Sequence, residues 1–115
     1  MKKPLIYVCS PLAGDFVNNI DRAARYCRFV SSQNAIPLAP HLYFTRFLDD
    51  AIAEERELGL EMGLDVLGIC DAVWVFGKKI SSGMKREILL AKEIGKPVLF
   101  FDQMCQPLEV QDESL

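Results

Sequence analysis

Apolar residues along this chain alternate between short continuous runs and stretches of helical period. Leu5 to Cys9 is a continuous run of strand length, the pattern of a strand covered on both faces. It stops at Ser10–Asp15, where Pro11 and Gly14 mark a loop. From Asn18 or Asn19, either of which can cap a helix, Ile20, Ala23, Ala24, Cys27 and Val30 return at helical spacing. Ile36 to Ala39 predicts a brief second strand closed by Pro40, and Pro40–Phe47 reads as a loop. A second helix follows from about Asp50 to Ile69, covered by apolar residues around most of its circumference and so expected to be largely buried. Ala72–Phe76 is a third strand, Gly83–Ile94 a third helix stopped by Gly95 and Pro97, and Pro97–Phe101 the last strand.

This β-α-β-α-β-α-β order predicts an α/β fold: a single-domain, flavodoxin- or Rossmann-like three-layer sandwich on a parallel sheet of four to five strands. In such sheets ligands bind at the carboxyl ends of the strands, where the strand order reverses. The loops to watch are therefore Ser10–Asp15, Pro40–Phe47 and Gly77–Gly83. The domain is expected over residues 1–103. Residues 104–115 read as an acidic tail, mobile or laid across a neighbour.

Composition narrows the function. A domain of 115 residues can bury about 65% of its unfolded surface, enough for a core without metal or disulfide staples. A net charge of −3 speaks against a nucleic-acid polymer as partner. No apolar run approaches the length of a membrane span, and the N-terminal run is too short for a signal peptide, so no membrane partner is expected. The four cysteines lie far apart and the chain has one histidine, which argues against a zinc site and a disulfide framework. The expectation is a cytoplasmic chain with reduced thiols, no metal and no cofactor.

Two acids stand out. On a helical wheel, Glu87 falls on the apolar stripe of Met84, Ile88, Ala91 and Ile94. A core-facing carboxylate must be paired or line a cavity; the alternative is a place at the helix edge, in a salt bridge or solvent. Asp65 belongs to a stripe with Glu54, Glu57 and Glu61 that reads as a solvated face, yet it lies one turn from the helix end, near the rim before the third strand. Lys78, Lys79, Ser81, Ser82, Gly83, Lys85 and Arg86 crowd the start of the third helix, a place that favours an anion, although a solvated basic patch would look the same. The glycines match neither a P-loop nor a dinucleotide fingerprint.

Three stretches together resemble the nucleoside 2-deoxyribosyltransferase superfamily, which includes the 2′-deoxynucleoside 5′-monophosphate N-hydrolases. They are Ile6-Tyr7-Val8 with the Ser10–Asp15 loop, Asp65-Val-Leu-Gly-Ile-Cys-Asp71-Ala-Val, and Ser81-Ser-Gly-Met-Lys-Arg-Glu87. The resemblance implies N-glycosidic chemistry, with Glu87 as nucleophile, Asp65 holding the sugar or handling the base proton, and Tyr7 orienting the nucleophile. It implies substrate contacts from Ser10, Gly14, Asp15, Ser81, Ser82 and Gly83, with Ser81 and Gly83 at positions that hold a 5′-phosphate. His41 is a further candidate contact for a base or phosphate, or a structural or exposed loop histidine; Tyr43 and Phe44 are candidates to stack on a base, or equally core residues or a dimer contact. The implied partner is a small-molecule nucleoside or nucleotide; a homo-oligomer is expected because so small a domain seldom encloses a nucleoside alone.

The sequence departs from the family pattern beside the nucleophile. Family members carry glycines there, whereas this chain has Lys85-Arg86-Glu87-Ile88-Leu89, expected to narrow the space for a sugar. That departure favours a rival reading: a nucleotide-binding or sequestering protein without turnover. A cysteine hydrolase built on Cys9 and His41 is a third reading, but it needs a base or helix start beside the thiol, which the sequence does not supply.

Overall fold

The computed structural model describes residues 2–109. Five strands form one sheet: β1 (Leu5–Cys9), β2 (Ile36–Leu38), β3 (Ala72–Phe76), β4 (Val98–Phe101) and β5 (Pro107–Leu108). Their order is β2-β1-β3-β4-β5, with β5 antiparallel to β4 and every other pair parallel. Four helices connect them: α1 (Phe16–Ser32), α2 (Pro40–Phe44), α3 (Ala53–Gly68) and α4 (Ser82–Glu93). The α/β architecture expected from the alternating pattern is present. The edge strand β5 comes from the segment expected as tail, and residues 110–115 of that segment lie outside the described residues.

Strand alternation divides the core between the two sheet faces. On one face, Ile6 and Val8 of β1 and Phe76 of β3 pack with Tyr26 and Val30 of α1. On the other, Tyr7 and Cys9 of β1 and Val73 and Val75 of β3 pack with Leu67 of α3 and Met84, Ile88 and Ala91 of α4. The chain leaves β1 toward β2 on one side and returns to β3 on the other. The strand order therefore reverses between β1 and β3, and the crevice above their carboxyl ends is where this topology takes ligands.

Four local expectations are corrected. α1 starts at Phe16, before Asn18 and Asn19. Asn19 is buried and caps nothing: its amide donates to the carbonyls of Leu12 (3.1 Å) and Ala13 (3.2 Å), tying down the β1–α1 loop from inside. The Pro40 segment is no plain loop, because extended Ala39 lets Pro40 open helix α2, where its missing N–H costs nothing. α4 begins one residue earlier than expected, capped by Ser81, whose Oγ accepts from the Met84 N–H at 3.2 Å.

The fourth correction matters most for function. α3 is not buried around its circumference; only Gly63 and Leu67 are fully covered, while Leu58 is 44% exposed. A single stripe, Gly59–Gly63–Leu67, faces inward at helical spacing. A β-carbon at Gly63 would stand 3.2 Å from the Tyr7 hydroxyl, so the absence of a side chain there is what lets α3 approach β1 this closely.

Candidate active site

Tyr7 and Cys9 stand two residues apart on β1 and so point to the same sheet face, under the first turns of α4. Glu87 of α4 comes down to meet them and is 7% exposed. The Tyr7 hydroxyl donates to Glu87 Oε2, and the Cys9 thiol lies 3.3 Å from Oε1 with the Met84 carbonyl 4.0 Å away as its other acceptor. Burial pushes the Tyr7 phenol and the Cys9 thiol well above their ordinary pKa values, with the Glu87 charge adding to both, so each keeps its proton and serves as a donor. Burial also raises the pKa of Glu87; the Tyr7 hydrogen bond, the charge of His41, the Cys9 bond and the charge of Arg86 work against that rise, in that order. A carboxylate of raised basicity with both oxygens held by neutral donors is a pre-oriented nucleophile or base.

Glu87 forms part of the wall of two adjoining cavities. The smaller, about 50 Å³, lies between β1, α2 and α3 and is largely apolar, with Phe44, Leu48 and Leu60 on its walls. The larger, about 310 Å³, runs from Glu87 to the start of α4 past Ser10, Ser81, Ser82 and Gly83. His41, Asp50, Arg56 and Leu60 line both. His41 is fixed to the end of β1, its Nε2 lying 2.9 Å from the Ser10 carbonyl. Ser10 Oγ is buried with no hydrogen-bond partner among the described residues, although it borders the larger cavity. A hydroxyl left in that condition costs stability unless something fills the need, which marks it as an unused contact for a ligand.

The expected site residues sort into three groups. Tyr7, Ser10, His41, Ser81, Ser82, Gly83 and Glu87 come together around the two cavities. Gly14 lines only an open groove beside them, and exposed Asp15 turns to Asn18, whose side chain donates to it at 2.8 Å. Asp65 is exposed and lines none of these cavities. The physical reason is phase: two positions along a helix is a turn of about 200°, so Asp65 lies across the helix axis from Gly63, the residue that faces Tyr7.

The expected crowding beside Glu87 is also corrected. Lys85 and Arg86 are exposed, and Arg86 reaches outward to Glu57 of α3 at 3.6 Å. Asp50, Arg56, Leu48 and Leu60 were not expected at the site, and Cys9 was expected there only as the thiol of a cysteine hydrolase, not as a partner of Glu87. Cys9 had a signal, the two-residue strand period from Tyr7. Arg56 and Leu60 share the helical face of Gly63 at spacings of seven and three residues, so the glycine stripe pointed to them as well.

Residues 4–101 match the model of a domain family of unknown function, DUF7768. The chain belongs to that family. No curated protein matches its sequence. Among solved structures, the fold is similar to a 2-deoxyribosyltransferase from the psychrotolerant bacterium Bacillus psychrosaccharolyticus, with a TM-score of 0.71 at 16% identity over 94% of this chain and 77% of that one. It is similar also to a 2-desoxiribosyltransferase from Leishmania mexicana, with a TM-score of 0.61 at 20% identity over 86% of this chain and 64% of that one. At these identities the likeness is one of fold. It agrees with the three-layer α/β architecture expected from the alternation of strands and helices.

Proposed function

We propose that this protein cleaves or transfers at the N-glycosidic bond of a nucleoside 5′-monophosphate, through Glu87 as nucleophile. The observation that carries the reading is the buried Glu87 carboxylate on the cavity wall, held by the Tyr7 hydroxyl on one oxygen and the Cys9 thiol on the other. The fold likeness to two 2-deoxyribosyltransferases supports the same class of chemistry. Oε1, whose donor is the weaker of the two, is the oxygen free to attack the anomeric carbon. Glycosyl–oxygen bond formation expels the base with the electron pair of the broken C–N bond. Water or a second base then attacks the same carbon and returns the carboxylate.

The larger cavity supports a phosphorylated substrate. Its 310 Å³ is at the lower end of the volumes typical of small-molecule sites. The free N–H groups at the start of α4 and the unpartnered Ser10 hydroxyl both border it, and Arg56 supplies a positive charge. The same reading keeps a homo-oligomer as the expected assembly. A second reading, nucleotide binding without turnover, is favoured by one observation: Asp65, the other acid of the motif, is outside the cavities.

Chromatography for free base after incubation with deoxy- and ribonucleoside 5′-monophosphates separates the two. Base release that vanishes in Glu87→Ala supports the glycosidic reading, and an added acceptor base sorts transfer from hydrolysis. Tight retention of one nucleotide without release moves the assignment to the binding protein.

A further inference from the structure

Breaking a glycosidic C–N bond leaves a base that needs a proton as it departs. The acid that the motif offers for this, Asp65, is exposed on the outer side of α3. The α3 position that does face Tyr7 is Gly63, which has no side chain to give. The proton must come from another group on the wall, which besides Glu87 and Tyr7 carries His41, Asp50, Glu55 and Arg56. A guanidinium does not give up its proton in a protein, which removes Arg56. Glu55 is engaged, its Oε1 accepting from the Asp49 N–H at 2.7 Å.

His41 has the built geometry. It lines both cavities together with Glu87, and its charge is felt by the Glu87 carboxyl. Its Nε2 meets the Ser10 carbonyl at 2.9 Å. A carbonyl only accepts, so Nε2 keeps its hydrogen in both charge states and Nδ1 is the nitrogen that gains and loses a proton. Nδ1 has no hydrogen-bond partner among the described residues. A ring oriented by a backbone acceptor on one nitrogen and free on the other is the arrangement of a proton-transfer histidine. The titratable and charged groups that share its cavity walls are Tyr7 from β1, Glu87 from α4, and Asp50, Glu55 and Arg56 from α3 and the segment before it.

Resting on the glycosidic reading above, we propose that His41, and not Asp65, is the catalytic residue that protonates the departing base. Glu87 Oε1 bonds to the anomeric carbon as the C–N bond breaks. The electron pair of that bond goes to the base nitrogen, and the His41 Nδ1 proton moves to the base. In the second half the attacking water or acceptor base gives a proton back to Nδ1, and the pair of the ester C–O bond returns to Glu87.

The test compares His41→Gln, Asp65→Asn and Asp50→Asn with the unaltered protein on two substrates. One is the deoxynucleoside 5′-monophosphate that releases base; the other is 2-deoxyribosyl 5-phosphate carrying 4-nitrophenol, which leaves as an anion and needs no proton. Glutamine can still donate to the Ser10 carbonyl, so it keeps the structural bond and deletes only the titrating nitrogen. Expected for His41→Gln are a kcat lower by about 10²-fold on the nucleotide and by less than about tenfold on the nitrophenyl substrate. Asp65→Asn stays at full activity. Equal losses on both substrates, unchanged nucleotide turnover in His41→Gln, or the leaving-group-dependent loss appearing in Asp50→Asn or Asp65→Asn would overturn the proposal. Glu87-dependent release by the unaltered protein tests the underlying reading separately: without it, that reading falls and the proposal with it.

Discussion

Two tyrosines, each 1% exposed, lie on opposite faces of the sheet and do different work. Tyr26 of α1 stacks on Phe76, with ring centroids 4.4 Å apart and planes 10° from parallel, and Phe76 stacks in turn on Phe101 at 5.1 Å. Phe29 and Trp74 extend this aromatic layer, which is apolar packing throughout. Tyr7 of β1 is equally buried, but its hydroxyl is spent on Glu87 and lies against a glycine, Gly63. One face of the sheet is filled; the other is held open around a carboxylate. Depth of burial does not separate a packing residue from a site residue. What the polar atom of the side chain meets does.

Truncating the two tyrosines should have opposite consequences. Tyr26→Ala removes a stacked ring from the dry face and should cost about 3–5 kcal/mol of stability, read from the urea midpoint. Tyr7→Phe keeps the ring, so its stability loss should be smaller, about 1–2 kcal/mol. Its activity should fall by about 10²-fold on the same order as loss of one preorganised donor. The Tyr7 hydroxyl lowers the Glu87 pKa, so the acid limb of the rate profile should also move to higher pH in this variant. A Tyr7→Phe protein with full activity and an unmoved acid limb would erase the distinction between the faces.

Gly63→Ala sharpens the same point at the α3–β1 contact. The added methyl stands 3.2 Å from the Tyr7 hydroxyl, which must shift by a few tenths of an ångström and take Glu87 with it. The expectation is about 1 kcal/mol of stability lost together with a lower kcat. Gly59→Ala, where the new atom would meet only the end of Leu48 at 3.6 Å, should leave both nearly unchanged.

The smallest effect is a gain. Glu87 has a raised folded pKa, so the native state holds its proton more tightly than the unfolded chain does. The stability linked to that proton is complete below the unfolded pKa and is lost as pH rises through the folded value. Glu87→Gln should therefore raise the melting temperature by a few degrees at pH 7 to 8, and the advantage should shrink as pH falls toward the ordinary carboxylate range. An equal gain at all pH values would point to packing and away from the buried charge.

Short helix α2 and edge strand β5 aside, the amino-acid pattern alone carried the order of strands and helices, the parallel pairing of β1 to β4, the sheet end that carries the cavities and the inward place of Glu87. These are consequences of local periods: two for a strand, 3.6 for a helix, with Gly and Pro as stops. The rotation of α3 about its own axis was decided only in the fold, because its apolar residues surround the helix and single out no face. Contact with Tyr7, far back in the chain, chose Gly63 as the inner residue, which sent Asp65 to solvent and brought Arg56 to the cavity. The partners of Glu87 were settled the same way. A strand dictates that Tyr7 and Cys9 share a face, but only the docking of α4 across β1 decides that a carboxylate meets them there.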